Sequence, residues 1–125
     1  MTNSILVLIG GGIGALARYQ LGRFTFHSLG GAWPWGTLIA NVSGGVLMGL
    51  LAGWLAARAQ GGEAIRLFLA VGVLGGFTTF SSFSLETVLM IERGQMLGAL
   101  AYVVLSLVGA IGGLAIGLLM MRSVA

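Results

Sequence analysis

Four long apolar stretches that contain almost no charged residues constrain the fold of this chain more than any other feature. They run over residues 4–21, 35–57, 65–91 and 96–121. A helix needs roughly 20 mainly apolar residues to cross the hydrocarbon core of a bilayer. Charged residues make up 7% of the chain and mean hydropathy is +1.06, whereas a soluble domain is about 25% charged. The sequence therefore predicts an all-α membrane protein with four transmembrane helices, forming a single domain over residues 1–125.

The charged and reactive residues argue against several classes of function. The chain has six arginines, three glutamates and no cysteine, lysine or aspartate. No basic cluster is present, so nucleic acid is not an expected partner, and thiolate metal sites are excluded. His27, which we place in the first loop, has no partner at metal-ligand spacing. Paired carboxylates, a Ser/His/Asp set and a phosphate loop are all missing, so we do not expect an enzyme.

The predicted connections between the spans are short and carry turn residues. They cover residues 30–34, 60–63 and 92–95. Aromatic residues near the span ends are typical of an interfacial belt, and these are Tyr19, Trp33, Trp35 and Trp54.

The arginines give no preferred orientation in the membrane. With four spans, both termini and the second loop share one side of the bilayer. That side has Arg58, Arg66 and Arg122, and the other has Arg18, Arg23 and Arg93. Because excess arginine normally marks the cytoplasmic side, this balance predicts insertion in both orientations. An antiparallel homodimer could then form from the two.

Glycines at helical spacing predict close helix packing. The chain has 23 glycines. Those repeating every four residues are Gly45, Gly49 and Gly53 in the second span and Gly109, Gly113 and Gly117 in the fourth. Small residues at this spacing let membrane helices approach backbone to backbone.

The third span is interrupted by a polar, glycine-rich stretch over residues 75–84. Gly75 and Gly76 are followed by Thr78 and Thr79, which is a poor composition for a helix interior. Carbonyls freed by a break survive in hydrocarbon only where they line a cavity, bind an ion or pack against protein. Such carbonyls are hard oxygen ligands that suit a small cation. The alternative is a merely kinked helix whose hydroxyls bond back to the preceding turn.

Neutral polar side chains surround this break in the sequence. Thr37 and Asn41 lie four residues apart in the second span, as do Tyr102 and Ser106 in the fourth; Thr79, Ser81, Ser82 and Glu86 follow the glycines. Such groups could desolvate a small ion without holding it too tightly. An intramembrane carboxylate is by default a functional-site hypothesis. For Glu86 we expect protonation, or a hydrogen bond to Thr37 or a serine.

Two phenylalanines lie within the same stretch. Phe80 and Phe83 are three residues apart and face the same way if helical. They could simply form core, but the positive edge of an aromatic ring can also face an anion.

Three motifs together resemble the Fluc (CrcB) family of fluoride channels. The residues at 75–84 with Glu86 are similar to its third-span signature, residues 36–41 to its second, and residues 10–14 with Arg18 to its first. The resemblance implies an antiparallel, dual-topology homodimer in the bacterial inner membrane, with two pores for fluoride. It also implies a structural sodium ion, not transported, held by the backbone carbonyls of Gly75 and Thr78. The fluoride path implied by the resemblance comprises Asn41, Phe80, Phe83, Thr79, Ser81, Ser82, Thr37, Glu86, Tyr102 and Ser106.

One part of the chain departs from the family pattern. A polar track can continue along the fourth span at four-residue spacing, yet here Tyr102 and Ser106 are followed by Ala110 and Leu114. The departure leaves the conduction rate open. The resemblance implies passive flow of the ion down its gradient.

Two rival functions remain. A small proton-coupled exporter would need a carboxylate in its first span, and residues 4–21 contain none. A membrane subunit without transport of its own is the other alternative.

Overall fold

Four helices long and apolar enough to cross a membrane make up the computed structural model, which describes residues 2–58 and 62–124. They are α1 (Thr2–Leu29), α2 (Trp35–Ala57), a third span (Glu63–Glu92) and α5 (Met96–Val124). The third span divides into α3, over residues 63–77, and α4 (Ser81–Glu92). The prediction of an all-helical protein with four such helices is confirmed. The predicted connection at Gln60 and Gly61 lies outside the described residues.

The first helix continues beyond the end predicted at residue 21. His27 was predicted in a loop, but it lies in the last turn of α1. The hydroxyl of Thr25 donates to the carbonyls of Leu21 and Gly22, at 3.0 and 3.1 Å, so its polar group is satisfied inside the helix. Arg23 is exposed at this end of the helix, where a long side chain can reach the headgroups without ending the helix.

A seam of glycines joins α2 to α5, and the predicted small-residue packing is confirmed there. A Cβ added to Gly45 would lie 2.5 Å from the carbonyl oxygen of Ala110, and one added to Gly117 would lie 2.6 Å from that of Val46. A Cβ at Gly49 would collide with the carbonyl of Leu114. Backbones this close leave no room for side chains, so the two helices form a tightly fixed pair.

The first half of the third span is wound wider than an α-helix and packs on α1. Residues Arg66–Leu74 are π-helical. Gly10 of α1 faces Gly72 so closely that a Cβ on Gly10 would lie 2.5 Å from the carbonyl of Phe68. Wide turns of this kind occur often at functional sites, and here they lead directly into the break.

The second half of the third span is held by a small side-chain core. Phe83, Met90, Ala99 and Tyr102 are buried together between α4 and α5, and Trp33 of the first loop packs against them. Tyr102 is completely buried. This core fixes α4 relative to α5, and so fixes the far side of the break.

Candidate functional site

The helical pattern of the third span stops for three residues. It ends at Phe77 and resumes at Ser81. Thr78 is extended, with φ −87° and ψ 155°. The prediction of an interruption over residues 75–84 was therefore wrong in extent, because the glycines before it and the serines after it are helical. Glycine is only weakly unfavourable in a helix, and tertiary contacts outweigh its cost here.

Asn41 of α2 bridges the break with both ends of its amide. Its Nδ2 donates to the carbonyl of Thr79 at 3.0 Å, and its Oδ1 accepts from the Thr79 N–H at 2.8 Å. Both backbone groups of Thr79, which lies within the break, are thereby satisfied, as membrane burial demands. The resemblance implies that Asn41 lies on the fluoride path, and in this structure its amide hydrogen-bonds to the Thr79 backbone.

The same contacts release two carbonyls of the third span. In a continuous α-helix the Thr79 N–H would pair with the carbonyl of Gly75, and the Ser82 N–H with that of Thr78. Here the Thr79 N–H bonds to Asn41 instead. The Ser82 N–H donates to the Thr79 hydroxyl at 3.2 Å. The carbonyls of Gly75 and Thr78 thus lose the helical donors that would otherwise occupy them.

A row of aromatic rings lines the site on the α4 side. The Phe80 and Phe83 ring centroids are 5.6 Å apart, and those of Phe83 and Tyr102 are 5.2 Å apart. Phe83 is 8% exposed, whereas Phe80 is 74% exposed. Trp33 continues the row, 5.7 Å from Tyr102; we had placed it in an interfacial belt, and no local sequence signal marks its inward position. Phe83 is core, but packing within this chain does not account for the exposed Phe80 ring.

Glu86 is paired with a residue that the sequence did not indicate. The hydroxyl of Tyr102 donates to its Oε1 at 3.2 Å, whereas Thr37 or a serine was expected. Thr37 lies beside the same Tyr102 hydroxyl. A small recess of about 130 Å³ opens next to Glu86, and its lining includes Arg93, Gly31, Ala32 and Pro34. The carboxylate thus lies between a buried phenol and the first-loop side of the protein.

The hydroxyls near the break fall into two groups. Those of Thr78, Ser84 and Thr87 donate to the carbonyls of the preceding turn, at 2.8–2.9 Å, which is the alternative that we had left open for this stretch. The hydroxyls of Thr79 and Ser81 lie 3.3 Å apart and bond to one another. The Thr79 hydroxyl also accepts from the Ser82 N–H, at 3.2 Å.

A groove of about 530 Å³ brings most of the predicted site residues together. From the predicted set, its lining includes Asn41, Gly75, Thr78, Thr79, Phe80, Phe83 and Ser106. The hydroxyl oxygen of Ser106 is buried and has no hydrogen-bond partner within the described part of the chain. Ala110 and Leu114 line the apolar end of the groove, at the positions where the polar track stops. Ser81, Ser82, Thr37, Glu86 and Tyr102 do not line it.

The fold and the site together define a polytopic α-helical membrane protein. At the break in its third span lies a polar site formed by backbone groups and uncharged side chains. Residues 5–118 match the family described as "CrcB-like protein, Camphor Resistance (CrcB)". The chain belongs to this CrcB family. Among its relatives are proteins named "Fluoride-specific ion channel FluC" from Novosphingobium aromaticivorans, 54% identical, and Hyphomonas neptunium, 48% identical. The first alignment covers all of both chains, and the second covers 99% of this chain and 98% of the relative.

Proposed function

We propose that this protein is a passive, fluoride-selective channel of a bacterial membrane and not an enzyme. The observation that carries the proposal is the break at residues 78–80, where an exposed Phe80 ring, freed carbonyls and neutral hydroxyls share one groove. The full-length relatives named as fluoride-specific channels support the choice of ion. Fluoride that crosses a membrane as neutral HF dissociates in a less acidic cytoplasm and is trapped. A channel lets it leave along its electrochemical gradient.

The groove supports a homodimer as the conducting form. In a single chain the groove is open on one side, and Phe80, near the middle of the third span, is largely exposed there. A second copy seated on this face would cover the break and bury the ring. The equal division of arginines between the two sides supports an antiparallel arrangement.

The freed carbonyls of Gly75 and Thr78 fit a structural sodium ion at the centre of such a dimer. Two carbonyls from each copy would provide four hard oxygen ligands, which is the chemistry that a small cation requires. When bound, the ion would place a fixed positive charge in a region where the described residues carry no cationic side chain.

Fluoride flux from vesicles tests the channel directly. Purified protein in liposomes should release fluoride without an imposed proton gradient, whereas a proton-coupled exporter would require the gradient and a silent subunit would release none. Phe80→Ile should abolish this flux, because an aliphatic side chain has no positive ring edge. Phe24→Ile is a matched control, since that ring is 67% exposed on α1 and lies away from the groove. Equal flux from both variants would contradict a role for the Phe80 ring.

The sodium site and the topology have separate tests. Replacing sodium by an organic cation should lower the dimer fraction in detergent, and an unchanged fraction would count against the cation site. Since the chain has no cysteine, Gln95→Cys introduces a single label position in the loop after α4. An impermeant thiol reagent on intact cells should reach about half of the molecules if insertion is dual. Labelling of all or none would refute dual topology.

A further inference from the structure

A cationic recess lies between α1 and α2, apart from the groove at the break. It measures about 330 Å³ and is lined by Arg18, Tyr19, Gly22, Arg23, Phe26, His27, Gly36 and Thr37. None of these residues is acidic. The ion pair found among residues 2–58 and 62–124 joins Arg66 to Glu63, so neither arginine of the recess is neutralised in that part of the chain.

Arg18 adds an unfilled hydrogen-bond donor to this recess. Its Nε is buried and makes no hydrogen bond to any residue that the structure describes. A buried guanidinium N–H without an acceptor is costly, and an anionic oxygen is the partner that would satisfy it best. The volume is about ten times that of one water molecule in the liquid, which is roughly 30 Å³. The space therefore suits a polyatomic anion better than a monatomic one.

The surface leading to the recess is apolar along the length of α1. Ile9 and Leu16, exposed at 52% and 59%, lie fourteen and seven residues before Arg23 and so share its face of the helix. Tyr19 and Phe26 flank the recess and are exposed at 59% and 61%, as expected at a membrane–water interface. An apolar helix face that ends in cations and aromatic rings matches the arrangement of acyl chain and charged headgroup in a phospholipid.

We propose that this recess binds the phosphate of an anionic phospholipid, with one acyl chain lying along the Ile9–Leu16 face. Arg18 donates from inside the recess, and Arg23 closes over the phosphate from the exposed side. Basic pockets between transmembrane helices bind anionic lipid headgroups elsewhere. Lipid occupancy of the recess is measurable in protein that conducts nothing.

Retention of lipid by the full-length protein tests the proposal. Protein extracted from vesicles of equimolar phosphatidylcholine and phosphatidylglycerol is examined by native mass spectrometry. We expect phosphatidylglycerol to be retained in preference to phosphatidylcholine. Arg23→Gln should reduce that preference about fivefold, which corresponds to the binding free energy that one arginine contributes near an anionic headgroup. Arg23 is exposed, so this variant should fold. Arg122→Gln, in the last turn of α5, removes the same charge elsewhere and should change nothing.

Three outcomes overturn the proposal. The first is equal retention of the two lipids by the wild type, and the second is equal loss in both arginine variants; either would show that the recess does not select a lipid phosphate. The third is thermal stabilisation by free inorganic phosphate or fluoride in neutral detergent that equals the effect of short-chain phosphatidylglycerol and disappears in Arg23→Gln. That result would assign the recess to dissolved anions.

Discussion

The two hydrogen bonds from Asn41 to Thr79 make a quantitative prediction about the stability of the break. Asn41→Leu keeps the size of the side chain and removes both its donor and its acceptor. The Thr79 N–H and carbonyl, now bonded at 2.8 and 3.0 Å, would both lose their partners. An orphaned polar group costs about 1–3 kcal/mol, which sets an upper figure of about 6 kcal/mol for the pair.

The cost of losing these hydrogen bonds is smaller in a bilayer, because the polar groups of a chain unfolded within the membrane hydrogen-bond to other groups. Measured couplings between side chains in membranes average about 0.6 kcal/mol. We therefore expect Asn41→Leu to lower the free energy of unfolding by about 2 kcal/mol, between these two limits.

Equilibrium unfolding in mixed micelles, with a rising fraction of denaturing detergent, measures the change when helicity is followed by far-UV circular dichroism. Ser43→Ala is the matched control on α2. Its hydroxyl donates at 2.6 Å to the carbonyl of Ile39 in its own helix, which retains its backbone partner. That variant should change stability by less than about 0.5 kcal/mol. If the two variants are equally stable, the Asn41 bridge is not what holds the break.

Two further variants test other contacts of the fold. Gly49→Ala should separate α2 from α5 and destabilise the protein by about 1–3 kcal/mol, because its Cβ would collide with the carbonyl of Leu114; Gly112→Ala, where a Cβ meets nothing within 4 Å, should be neutral in the same unfolding assay. Tyr102→Phe should cost about 1 kcal/mol by removing the donor to Glu86, and the variant would argue against that bond if its unfolding matched the wild type.

The span pattern and the location of the break were predictable because they depend on local composition. Long uncharged stretches can only be stable in lipid as helices, and paired glycines followed by threonines weaken one helix at a defined place. The glycine seam was predictable for a similar reason, since spacing of four residues sets one face of a helix. Predicting these features does not require knowing which helices are in contact.

Contacts between distant residues were not predictable in the same way. Asn41 and Thr79 are 38 residues apart in sequence. A side-chain amide can hydrogen-bond to an ion or to a backbone group, and the sequence does not show which of them lies within reach. The Tyr102–Glu86 hydrogen bond was not predictable for the same reason, since it joins two different helices. The end of α1 was predicted too early, at residue 21 instead of Leu29, because a long side chain such as that of Arg23 can reach the interface from within a helix. The π-helical Arg66–Leu74 segment has no recognised sequence signal.

Under the function proposed above, in which the break forms part of the ion path, the Asn41 bridge has a consequence for the speed of ion passage. Asn41 stands on a helix whose glycine seam holds it rigidly against α5, so the backbone dipoles beyond Phe77 keep their directions before any ion arrives. Fixed dipoles require no reorganisation when charge appears beside them. The polar groups are thus oriented during folding, and they do not reorganise when an ion enters or leaves. A site built in this way can desolvate an ion and still release it quickly.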